Sequence, residues 1–87
     1  MHVMRWLFPE NQKADAASKL DQALKVKEEG GEVFSAVLDK ECDMRVLEET
    51  WDAIQAAEGL LRKFPVSKVM AAKARVIVKC TKRGDYR

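Results

Sequence analysis

Residues 43–64 read Asp43-Met44-Arg45-Val46-Leu47-Glu48-Glu49-Thr50-Trp51-Asp52-Ala53-Ile54-Gln55-Ala56-Ala57-Glu58-Gly59-Leu60-Leu61-Arg62-Lys63-Phe64, and the conformation of this stretch decides the fold class. At about 100° per residue, with Leu47 at zero, Val46, Trp51, Ala53, Ile54, Leu60 and Leu61 gather in an arc from roughly 180° through zero to about 40°. That periodicity is helical. Asp43 is a candidate N-cap, and Phe64-Pro65 ends the run because a residue before proline disfavours the helical region. Glu49 falls at about 200°, inside the apolar arc, and Asp52 sits at its border. A carboxylate buried there without a partner costs several kcal/mol or holds its proton. A cation, either a lysine or a metal ion, is therefore expected to face Glu49.

Upstream, Ala16, Leu20, Leu24, Phe34, Val37 and Leu38 recur at helical spacing and predict a first long helix over about residues 13–39. Gly30 and Gly31 interrupt it. Each costs about 1 kcal/mol relative to alanine in a helix interior, so a close helix approach, a kink or a ligand against the backbone is expected there. Phe34 and Trp51 read as packing residues. Before this helix, Trp6, Leu7 and Phe8 precede Pro9 in a leader over residues 1–12, suited to an extended arm or a lid. Downstream, Ser67 is a candidate cap for a third helix through Val69, Met70, Ala74 and Ile77. Residues 79–87 form a basic tail, which reads as irregular from Thr81 with a turn at Gly84. No repeat or linker divides the chain, so residues 1–87 read as a single domain.

A chain of 87 residues buries only about 60 % of the surface it exposes when unfolded. Such chains need disulfides, a metal or a partner subunit. Cys42 and Cys80 fit no pairing motif and no secretory signal is recognisable, which points to a reducing cytoplasm. Both long helices are apolar over more than half their circumference, and three helices cannot cover that surface. The expectation is an all-α fold: a short helical hairpin plus a third helix, assembling as a dimer or tetramer into a helical bundle. The 16 basic and 14 acidic residues leave a net charge of +2, which argues against nucleic-acid binding through bulk charge. No apolar run is long enough for a membrane span.

The charges are nevertheless segregated. Carboxylates dominate from Glu28 to Asp52, while Lys63 to Arg87 carries eight basic residues and one acid, Asp85. Glu28, Glu29 and Glu32 form E-E-x-x-E on the first helix, with Glu29 and Glu32 about 60° apart and one turn along. Like charges at this spacing destabilise a helix by a few tenths of a kcal/mol, and Lys25 is placed to relieve Glu28 and Glu29. Glu49 and Asp52 repeat the spacing of three on the next helix. Two antiparallel helices, each offering two carboxylates one turn apart, make an oxygen cage suited to a hard divalent ion. Mg²⁺ takes octahedral oxygen ligands and is commonly completed by substrate phosphates. Without neighbouring histidine or cysteine the donor set does not suit zinc, and His2 reads as an exposed terminal residue.

These motifs resemble those of the MazG-like, phage-type all-α nucleotide pyrophosphohydrolases. That family carries E-E-x-x-E on one helix and E-x-x-D on the next, matched here by Glu28-Glu29-Gly30-Gly31-Glu32 and Glu49-Thr50-Trp51-Asp52. Short members end in a segment like K-N-x-x-R-G-Y-Y, and this chain ends Lys79-Cys80-Thr81-Lys82-Arg83-Gly84-Asp85-Tyr86. The resemblance implies hydrolysis of nucleoside triphosphates, either dNTPs or non-canonical NTPs, to a monophosphate and pyrophosphate. It implies Mg²⁺, with Mn²⁺ able to substitute, on Glu29, Glu32, Glu49 and Asp52. Glu28 and Glu29 become the catalytic acids, Glu28 orienting or deprotonating the attacking water. Lys79 and Arg83 would bind phosphate oxygens, and Tyr86 would pack on the ligand. Cys80 and Asp85 depart from the family pattern, which bears on sugar or base recognition. Two other readings compete. A non-catalytic helical interaction module, such as a phage-encoded regulator, needs none of the acids. A nucleic-acid binder needs Lys73, Arg75, Lys79, Lys82 and Arg83 on one accessible face.

Overall fold

Ser18 divides what the periodicity reads as one helix. Its hydroxyl accepts a hydrogen bond from the Asp21 N–H at 3.0 Å, so that Gln12–Ala16 stands apart as α1 and Lys19–Leu38 forms α2. The computed structural model describes residues 5–86; His2, the start of the leader and Arg87 lie outside them. Asn11 caps α1 by accepting from the Ala14 N–H. At its other end, Lys63 Nζ donates to the carbonyls of Ala14 and Ala17, adding to the few bonds that a helix terminus offers its last carbonyls. α2 runs unbroken through Gly30 and Gly31, where a Cβ would meet nothing within 4 Å.

Helix α3 spans Asp43–Leu61 with Cys42, rather than Asp43, at the N-cap and no side-chain bond there. Helix α4 spans Val66–Lys82 with Pro65 at its N-cap, two residues ahead of the expected cap Ser67. It also absorbs Thr81 and Lys82, which the sequence assigns to an irregular tail. The chain then turns at Gly84 with φ 76°, a backbone region open to glycine because it lacks a Cβ. The described residues are all-helical, with four helices in place of the expected hairpin plus one.

The short connection folds α3 back along α2, and these two helices form the main packed pair. Their seam is polar. From α2 it takes Gln22, Glu29 and Ala36, spaced seven apart, and from α3 it takes Glu49, Ala56 and Gly59. Gln22 Nε2 donates to the Ala56 carbonyl at 2.9 Å. Among the described residues, the buried hydrophobic side chains are only Ala14, Ala36, Ala56 and Val69. Phe34 is 68 % exposed, which corrects its reading as a packing residue. Five positions beyond Glu29, it lies about 140° around α2 from the seam. Trp51 is half exposed and meets Phe8 edge to face, ring centroids 5.7 Å apart.

Glycine is required at one seam position. A Cβ on Gly59 would stand 2.8 Å from Gln22 Nε2 and 3.0 Å from Ala14 Cβ. Overpacking of this kind costs about 1–3 kcal/mol, against a helix-propensity gain of about 1 kcal/mol. Gly59→Ala is therefore expected to lower the urea midpoint, by roughly 1 kcal/mol net.

The leader is strapped down rather than free. The N–H groups of Leu7 and Phe8 donate to the two oxygens of Glu58, each at 2.8 Å. Arg62 donates to the Phe8 carbonyl at 2.6 Å and stacks its guanidinium 4.6 Å from the Trp6 ring centroid. Trp6 thus packs on its own chain.

Candidate metal centre

Glu29 and Glu49 come from facing helices and lie on the polar seam, 7 % and 4 % exposed. Glu32 is three residues beyond Glu29 on α2 and is exposed. One carboxylate oxygen from each of the three lies within 4.8 Å of the others. Each buried glutamate gives one oxygen to a cation one turn earlier on its own helix. Lys25 Nζ is 2.8 Å from Glu29 Oε1, and Arg45 Nη2 is 2.6 Å from Glu49 Oε1. The cation expected beside Glu49 is thus an arginine, legible in hindsight from the i,i+4 spacing. The second oxygens, Glu29 Oε2 and Glu49 Oε2, are buried and accept no hydrogen bond.

Such orphaned acceptors are costly in a low-dielectric seam, and their chemistry tests the metal assignment. Ionised carboxylate oxygens accept but do not donate. Oxygens around an octahedral Mg²⁺, each at about 2.1 Å from it, lie about 3–4 Å apart. The cluster oxygens all lie within 4.8 Å of one another, so an ion there would need them drawn closer by side-chain rotation. The donor set fits a hard divalent cation.

The other expected residues are placed differently. Asp52 is exposed and stands outside the three-carboxylate set. It lines an adjoining cleft of about 470 Å³ with Glu29, Lys25, Lys13, Gln22 and Gln55. Glu28 points to solvent 4.0 Å from Lys25. Lys79, Arg83 and Tyr86 form no part of that cleft. Arg83 closes on its neighbours, 2.7 Å from Asp85 Oδ2 and 3.3 Å from Cys80 Sγ. Cys80 also holds the Tyr86 hydroxyl and pushes its pKa up. The two positions that depart from the tail pattern are therefore the ones that engage Arg83 and Tyr86. The sequence identifies Lys25 only as a local partner of Glu28 and Glu29, and the cleft cation Lys13 escapes it, since no motif links α1 to the acids.

The cluster is electrostatically split. The hydrogen bond from Lys25 holds the Glu29 carboxyl below the usual glutamate range, and Lys25 is raised in return. Glu32 moves the other way: the neighbouring Glu49 carboxylate, reinforced by the Glu29 charge, favours its protonated form. A raised acid gives the fold stability that is present at low pH and lost as pH rises through its folded value. Glu32 therefore opposes folding at neutral pH, while Glu29 supports folding until pH falls through its lowered value. If the cluster holds Mn²⁺ through Glu32, that binding should strengthen as pH rises through the raised Glu32 pKa. In Glu32→Gln that dependence should flatten and the metal-free chain should melt no lower than wild type at pH 7; calorimetry and thermal melts check both.

No protein-family model, curated protein or solved structure matches the chain. Among the described residues no helix is long and apolar enough to cross a membrane.

Proposed function

We propose that this chain is a Mg²⁺-dependent nucleoside triphosphate pyrophosphohydrolase of the MazG-like type, with Mn²⁺ able to substitute. Glu29, Glu32 and Glu49 would hold the ion, and Asp52 would complete its shell from the cleft side. The observation that carries this reading is the convergence of the Glu29, Glu32 and Glu49 carboxylates, two of which each keep one buried oxygen without a hydrogen-bond partner. When bound, the cation supplies charge neutralisation at the phosphates and Lewis acidity. Water attacks the α-phosphorus, the bridging bond to the β-phosphate breaks, and pyrophosphate leaves with that oxygen. Glu28 orients the water and accepts its proton. Lys25 and Lys13 offset phosphate charge in the cleft, where Gln55 offers an amide to the nucleoside. The reading carries a cytoplasmic homo-oligomer, dimer or tetramer.

A pyrophosphate-release screen over canonical and modified nucleoside triphosphates tests it, run with Mg²⁺ and with chelator. Mg²⁺-dependent release from at least one dNTP or non-canonical NTP is expected, and none from any substrate would sink the proposal. The exposed apolar residues Phe34, Leu38 and Met44 favour a second reading, the non-catalytic interaction module. That module would bind neither metal nor triphosphate.

The tail assignment has its own test. Hydrogen bonds to charged groups are worth about 1.5–3 kcal/mol each, so truncation after Val78 should weaken binding of a nonhydrolysable triphosphate substantially if Lys79 and Arg83 hold phosphate. Arg83→Lys should lose part of that affinity, because an ammonium lacks the planar fork. Unchanged calorimetric affinity in both variants would remove the tail from the site and leave Lys25 and Lys13 as the phosphate-facing cations.

A further inference from the structure

We propose that the exposed apolar faces of α2, α3 and α4 form the interface with a second copy of this chain, α4 of each copy lying on the α2–α3 pair of the other. This rests on the oligomer part of the reading above and is independent of the nucleotide chemistry. The accessible surface is 7221 Å². A folded monomer of 9.9 kDa is expected to expose about 5,200 Å². The excess, on the order of 2,000 Å², falls in the roughly 1,000–2,500 Å² that each partner of an obligate dimer covers. The radius of gyration agrees: 14.9 Å against about 12 Å for a compact chain of this length.

The distribution of residues says where the missing contact lies. The chain's own seam is polar, and its large apolar side chains point outward: Phe34 and Val37 from α2, Leu47 and Trp51 from α3, Val76 and Ile77 from α4. α4 is buried at Val69 alone and makes no extensive packing with another helix of its chain. Charge supplies the pairing. The α4 sequence holds five basic and no acidic residues, and α3 exposes three acids, Asp43, Glu48 and Asp52, against one basic residue, Arg45. Exchange of α4 sets the basic helix on the acidic one twice, as a two-fold interface requires. Gly30 lies about 40° around α2 from Phe34, with nothing of its own chain near its missing side chain. There a partner helix can approach the backbone closely, a reason for glycine that the single chain does not supply.

Light scattering of the full chain at micromolar concentration should give twice 9.9 kDa. Phe34→Lys and Ile77→Lys should each lose the dimer, since both side chains are exposed on their own chain and their replacement removes only the partner contact. Gly30→Leu should weaken the dimer although leucine is the better helix former. A monomeric wild type overturns the proposal, as does a dimer untouched by both lysine variants. A monomer that co-sediments with phosphatidylserine vesicles assigns α4 to a membrane surface and overturns it equally. None of these readouts uses a nucleotide, so failure of the interface and failure of the enzyme reading are separate results.

Discussion

Glu49→Ala is expected to abolish Mg²⁺-supported pyrophosphate release while leaving the helical circular-dichroism signal near that of wild type. Glu49 carries a buried, unpartnered oxygen and is the one α3 member of the three-carboxylate set, so its loss leaves Glu29 and Glu32 of α2 with only the rim residue Asp52 to hold an ion. A metal ion supplies several kcal/mol of charge stabilisation in such reactions. Loss of about 2.7 kcal/mol already corresponds to a hundredfold in rate, and more is expected. The fold should tolerate the change. Arg45 is half exposed and rehydrates when its partner goes, and removal of one acid relieves the repulsion that raises the Glu32 pKa. Asp52→Ala should cost less, because Asp52 stands beside the three-carboxylate set. Steady-state rates at saturating Mg²⁺ check the order. Near wild-type turnover in Glu49→Ala would sink the metal assignment.

The largest effect on stability is expected at Glu58. Its two oxygens take the N–H groups of Leu7 and Phe8, and Arg62 Nη2 lies 4.0 Å away. Removal of a buried charged acceptor leaves donors and an arginine without their partner, at about 1.5–3 kcal/mol for each charged hydrogen bond. Release of the strap lets water recover part of this, so Glu58→Ala should cost about 2–4 kcal/mol. Because Phe8 packs on Trp51 and Arg62 on Trp6, tryptophan emission should shift to the red in the folded variant. Glu58→Gln keeps one acceptor oxygen and should lie between. A Glu58→Ala midpoint within about 0.5 kcal/mol of wild type, the range of an ordinary surface change, would show that the strap contributes little.

Periodicity made the helices legible and gave α3 nearly its observed bounds, because apolar spacing survives even where the apolar face is turned outward. The same signal misplaced Phe34, since spacing identifies a face but not what covers it. Ser18 was hidden by the run of apolar residues on either side, although Ser18 followed by Asp21 is a capping signature. At the site, Glu29, Glu32 and Glu49 were visible because spacings of three and four converge on a helix. Asp52 shared the spacing but lies on the rim of the α3 face. Glu58 gave no signal: an acid that accepts backbone N–H groups from a segment fifty residues away leaves no local pattern. The tail motif read as phosphate-binding, but Asp85 and Cys80 already engage its arginine.

The position of the acids on the α2–α3 seam has a thermodynamic consequence. An ion bound there bridges the only two helices that pack extensively, so under the metal reading it is a folding ligand as well as a cofactor. A ligand that binds the native state alone stabilises it by about 2.7 kcal/mol at a hundredfold excess over Kd. The melting temperature would then track free divalent ion, and the folded fraction would follow the ion supply whether or not a nucleotide is present.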